Sequence, residues 1–93
     1  MSDRESFYIK LKTKLEETTK FPTKYLYKFI VPSNGNQVEE VKNLFDKGGA
    51  VIETKKSRTG KYVSVSIHVT MGSSTEIIDY YKQAEKIEGI ISL

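Results

Sequence analysis

The sequence predicts an α+β sandwich, with four strands in one sheet, two helices on one of its faces, and a further helix at the front. Three observations carry that expectation. Lys61 to Met71, KYVSVSIHVTM, alternates from Tyr62 onward: Val63, Val65, Ile67, Val69 and Met71 point one way, and Tyr62, Ser64, Ser66, His68 and Thr70 the other. That period of two marks a strand with one buried face. Two helical patterns then each sit between strands, and turn formers punctuate the chain at Pro32 to Asn36, Gly48-Gly49, Ser57 to Gly60 and Gly89.

Residues 3–19 read as a helix. Phe7, Leu11 and Leu15 fall four apart on one stripe with Tyr8 beside them, Asp3 is a capping residue, and Glu5 is acidic in the first turn. Ile9 lies off the stripe. Phe21-Pro22 ends the helix, because the residue before proline is pushed out of the α region. Tyr25 to Val31 is a strand rich in aromatic and β-branched residues. Burying Lys28 unpaired would be costly, so Lys28, Leu26 and Ile30 face outward and Tyr25, Tyr27, Phe29 and Val31 face the core.

Gln37 to Lys47 is a helix with Val38, Val41, Leu44 and Phe45 on one face, Asn36 and Glu39 at capping-box spacing, and Gly48-Gly49 as its stop. Ala50 to Lys56 is a second strand, charged as befits an edge. Ser57 to Gly60 forms a four-residue hairpin into the alternating strand. Ser73 and Glu76 make a capping box that launches a helix through Ile87, with Ile77, Tyr80 or Tyr81, Ala84 and Ile87 inward. Gly89 closes it, and Ile90 to Leu93 is a short last strand. After the first helix the order is βαββαβ. Two right-handed crossovers sharing a hairpin give a ferredoxin-like sandwich with an antiparallel or mixed sheet, first and third strands central, second and fourth at the edges. The chain divides into an N-terminal helical extension, 1–20, and this domain, 21–93.

Composition excludes several function classes. The 93 residues include no cysteine, hence no disulfide, thiol nucleophile or cysteine zinc site. The N-terminus lacks the pattern of a signal peptide, and no apolar run approaches the roughly 20 residues of a membrane span. The expected location is the cytoplasm. The net charge is +3, but fifteen basic residues interleave with twelve acidic ones. The dense basic cluster Lys55, Lys56, Arg58 and Lys61 reads as a solvated hairpin tip.

Candidate chemistry is sparse. His68, the one histidine, has neither a second ligand nor a paired carboxylate in its segment, and Ser66, two residues away on the same strand, makes a poor nucleophile partner. Neither catalysis nor a cofactor is expected. Single-stranded nucleic acid is an alternative occupant of the open face, but Tyr62 is one ring, and a stacking platform needs more. A small phosphatase-like enzyme would need an arginine in the loop after the first strand, and that loop has none. The amides of Ser33, Asn34, Gly35 and Asn36 could still hold a small anion, although ordinary turn chemistry wants the same residues. The outer face, with Lys28, Tyr62, Ser64, Ser66 and His68, is the candidate interaction surface. Leu26, Ile30 and Tyr62 make it too apolar to stay uncovered. The N-terminal helix is one candidate cover, and a second copy of the chain is the other.

Phe21-Pro22-Thr23 with Tyr27-Lys28, and Ser57, Gly60, Tyr62 and Ser64-Val65-Ser66-Ile67, resemble two motifs of the YbeD-like family, and Tyr81, Ile87 and the hydrophobic end match its last helix and strand. The resemblance spans about residues 20–93. It implies a ferredoxin-like fold similar to ACT-like domains that sense small molecules, and a regulatory or interaction role with a protein partner or small effector. The family has been labelled both a domain of unknown function and a lipoate-related regulatory protein, and it supplies no catalytic residues. No residue here points to lipoate itself.

Overall fold

The structure, a computed structural model, describes residues 3–46 and 49–93. Its elements are α1 (Asp3–Thr18), β1 (Thr23–Pro32), α2 (Gln37–Leu44), β2 (Val51–Lys56), β3 (Tyr62–Met71), α3 (Ser74–Ala84) and β4 (Ile91–Ser92). The sheet order is β2-β3-β1-β4, with β1 and β3 central. Every pairing is antiparallel, which rules out the mixed sheet expected as one option. Strands joined by a helix run the same way but never lie side by side, because β3 separates β1 from β2 and β1 separates β3 from β4.

The alternation of β3 holds from end to end: Val63, Val65, Ile67, Val69 and Met71 are buried. β1 takes the register set by Lys28, with Tyr27, Phe29 and Val31 fully buried. Over this face lie Val41 and Phe45 from the α2 segment and Ile77 and Ala84 from α3. Tyr27 centres the aromatic cluster, 4.8 Å from both the Phe45 and Tyr81 rings, and its hydroxyl donates to the Ile77 carbonyl at 2.9 Å. The helices thus cover one side of the sheet, and hydrophobic burial holds them there.

Three boundaries differ from expectation for physical reasons. α2 ends at Leu44, since Phe45 leaves the helix to enter the core while its N–H still reaches the Val41 carbonyl. Of the expected stop at Gly48-Gly49, Gly48 lies outside the described residues, and Gly49 has φ +87°. α3 ends at Ala84, where Lys86 and Ile87 tighten into i→i+3 bonds. Gly89 then turns at φ +75°, with Pro32 so close that an added Cβ would lie 2.8 Å from its Cγ. The hairpin connection runs from Ser57 to Lys61, one residue longer than expected, with Gly60 at φ +76°.

Caps divide likewise. Ser73 accepts from the Glu76 amide at 3.1 Å, as its spacing predicts. Asn36 makes no side-chain cap, and Glu39 lies near Lys42 instead.

α1 does not cover the sheet. It packs antiparallel on α3, joined at both ends. Ser74 Oγ donates to Glu16 at 2.9 Å, while Arg4 and the Tyr8 hydroxyl both bind Glu85. The buried residue on α1 is Tyr8, and Phe7 is 59% exposed. The stripe is therefore Tyr8, Leu11 and Leu15 rather than Phe7, Leu11 and Leu15. Against it α3 presents Ile78, which is buried although it lies off the inward face.

Amide exchange is expected to be slowest in Phe29–Val31 and Val63–Val69, whose strands are paired on both sides. NMR or mass-spectrometric exchange checks this, and slowest exchange in Val51–Lys56 would contradict the strand order.

Candidate functional site

With all three helices on one side, the other side of the sheet is uncovered among the described residues. Antiparallel register places directly paired residues on the same face. Leu26, His68 and Val51 therefore form one row across β1, β3 and β2. The next row is Lys28, Ser66 and Glu53, and the next Ile30, Ser64 and Lys55, which β4 extends with Ile91. Pro32 and Tyr62 end the face. Leu26, Val51, Tyr62 and Ile91 are about half exposed, and Leu93 is 71% exposed beside Lys28, whose carbonyl it binds.

The sequence-derived surface residues Lys28, Tyr62, Ser64, Ser66 and His68 all lie on this face. Sequence reasoning missed Val51, Glu53 and Lys55, which β2 adds to it. The alternation within VIETKK carries that information only once its register with β3 is known. The two serines are short and their neighbours long, so a depression of about 470 Å³ opens over Ser64 and Ser66, walled by Lys28, Glu53 and Lys55. A second hollow of about 330 Å³ lies by His68, Leu26 and Val51.

The loop residues are placed elsewhere, at the end of the sheet against the hairpin. The Ser33 N–H donates to the Lys61 carbonyl at 3.0 Å, and its hydroxyl donates to the Gly60 carbonyl. Both Ser33 donors are thus engaged within the fold. Asn34, Gly35 and Asn36 are exposed, and the Gln37 side-chain oxygen is buried next to Gly35 with no partner among the described residues. Ser33 thus fastens the end of β1 to the hairpin.

Chemically the open face offers hydroxyls, the lysines Lys24, Lys28 and Lys55, the glutamate Glu53 and apolar corners. Among the described residues no hydrogen bond joins His68 to Ser66, and no three His, Asp or Glu side chains converge as metal ligands. The strongly perturbed groups lie on the opposite side of the sheet. Burial pushes the Tyr27 and Tyr81 phenols far above their usual range, Tyr81 also through its hydrogen bond with Tyr25. Burial and then the Glu85 carboxylate do the same to Tyr8.

The sequence model of a family described as a protein of unknown function, DUF493, matches residues 16–93, which covers both motifs and every strand. The chain belongs to the DUF493 family. Within it, the UPF0250 protein of Yersinia enterocolitica serotype O:8 is 35% identical over 81 residues, covering 84% of this chain and 93% of that protein. UPF0250 protein YbeD of Escherichia coli is 33% identical over the same length and coverage, as is its Shigella boydii counterpart. The YbeD-like resemblance read from the motifs is thereby shown. No solved structure gives a significant match. The DUF493 match begins inside α1, so most of that helix precedes it. Among the described residues no helix is long and apolar enough to cross a membrane.

Proposed function

We propose that this chain is a non-enzymatic regulatory or interaction module whose contact surface is the open sheet face. One observation carries the reading. Every large apolar side chain exposed on the sheet, namely Leu26, Val51, Tyr62 and Ile91, together with the adjoining Leu93, lies on the one face that no helix covers. Exposed apolar side chains gathered on one uncovered face, with charged and hydroxyl groups between them, suit a docking surface. The order β2-β3-β1-β4, with crossovers through α2 and α3, supports a ferredoxin-like fold and, with the YbeD-like motifs, an affinity with ACT-like regulatory domains. The resemblance of fold alone assigns no effector.

The test is positional cross-linking in cells. A photoreactive residue at Ser64 is expected to give discrete covalent adducts, and one at Glu40 on exposed α2 is expected to give none. Identical patterns from both positions, or no adduct from Ser64, would defeat the reading.

A further inference from the structure

Resting on that reading of the open face, we propose that its occupant is a second copy of this chain, packed sheet against sheet about a two-fold axis running parallel to β3 above Ser66. The cross-strand register makes the face self-complementary under that operation. Ser66 sits in the middle of β3, with Lys28 on one side and Glu53 on the other. The axis carries the β1 side of one molecule over the β2 side of the other. Lys28 then meets Glu53 of the copy, and the pair occurs twice. In the adjacent rows Leu26 meets the copy's Val51, and Ile30 meets the aliphatic stem of the copy's Lys55. Such an isologous contact closes at two molecules.

Charge selects this axis over the alternative. A two-fold axis running across the strands would set Lys28 on Lys28 and Glu53 on Glu53, burying like charges together. Among the described residues neither Lys28 nor Glu53 has an ion-pair partner within its own chain. The depression of about 470 Å³ over Ser64 and Ser66 gives these long side chains room to pair in the roughly 10 Å between packed sheets. Aligned sheets cross at about 30°, so register is kept best near the axis, where the charged row lies.

Size sets the strength. β1 and β3 have ten residues each, β2 six and β4 two, which at about 3.3 Å per residue and about 4.8 Å between strands give a face of roughly 450 Å² per molecule. About 1,000 Å² in total is the lower bound of specific interfaces, so the dimer is weak and dissociates in the micromolar range.

Sedimentation equilibrium of the purified full chain tests this, with Lys28→Glu, Glu53→Lys and the double reversal beside the unaltered protein. Both positions are exposed, and melting curves verify that each variant is folded. Each single reversal is expected to weaken dimerisation about tenfold or more, and the double reversal to recover most of the loss, because it restores both pairs. An unaltered chain that stays monomeric at millimolar concentration overturns the proposal, as does a dimer indifferent to all three variants. A monomeric chain that still forms Ser64-dependent adducts with other proteins overturns the second copy while leaving the contact face standing. Absence of both dimer and adducts removes both.

Discussion

A chain lacking residues 1–19 is expected to melt far below the full-length protein. Tyr8 is buried against α3, with its ring 6.4 Å from that of Tyr81, and Leu15 packs on the core beneath. Full burial of one such side chain contributes about 1.5–3 kcal/mol, and the half-buried Leu11 and Leu15 together contribute about as much again. The Arg4–Glu85 ion pair, 2.7 Å long but 71% exposed at the arginine, adds little. A loss of about 4 kcal/mol is a large part of the 5–15 kcal/mol that holds a domain folded. For a chain of this length it corresponds to a melting temperature lower by roughly 20 °C. Calorimetry of the two chains measures it. Equal melting temperatures would reduce α1 to an ornament on the surface.

Alkali is expected to unfold the protein cooperatively, at a pH set by its buried phenols. In the unfolded chain a tyrosine loses its proton near pH 10. Burial holds Tyr8, Tyr27 and Tyr81 protonated well beyond that in the native state, with Glu85 adding to the effect at Tyr8 and the hydrogen bond with Tyr25 at Tyr81. Above pH 10 the unfolded state therefore binds fewer protons than the native state, and stability falls as pH rises. Below pH 10 the contribution is fully present. Each of the three costs about 1.4 kcal/mol per pH unit in that window, so one to two units suffice to exhaust a marginal domain. Tyrosinate absorbance and far-ultraviolet circular dichroism followed together provide the check. These three phenols should ionise in one sharp step that coincides with loss of the helix signal. Smooth ionisation of all six tyrosines while the helix signal persists would contradict the buried hydroxyl arrangement.

The central strands were legible because each carries a local contradiction that only one register resolves. Lys28 cannot go inward, and the serines and histidine of β3 leave a single apolar side. The docking of α1 was not legible. Phe7, Tyr8 and Ile9 are consecutive, so the helix presents apolar groups around much of its circumference, and turning it by one residue exchanges Phe7 for Tyr8 as the contact. What selects Tyr8 is Glu85, whose carboxylate lies 77 positions further along the chain. The missing Asn36 cap follows the same logic, because asparagine suits a turn as well as a cap, and here the loop is fixed by Ser33 bonding the hairpin. For the open face, the β1 and β3 contributions could be read from alternation. The β2 contribution depended on pairing, which is a property of two segments at once.

The packing of α1 on α3 has a consequence for how such chains can be recombined. Ile78 and Ser74 are buried on a flank of α3 that α1 shields, although most of α1 precedes the stretch that defines the family. Transplanting α3 alone into a framework without that helix would export a bare isoleucine to the solvent. Transplanting α1 alone onto a polar flank would leave Tyr8 and Leu11 nothing to grip. The two helices form one packing unit, and a viable chimera has to move them together.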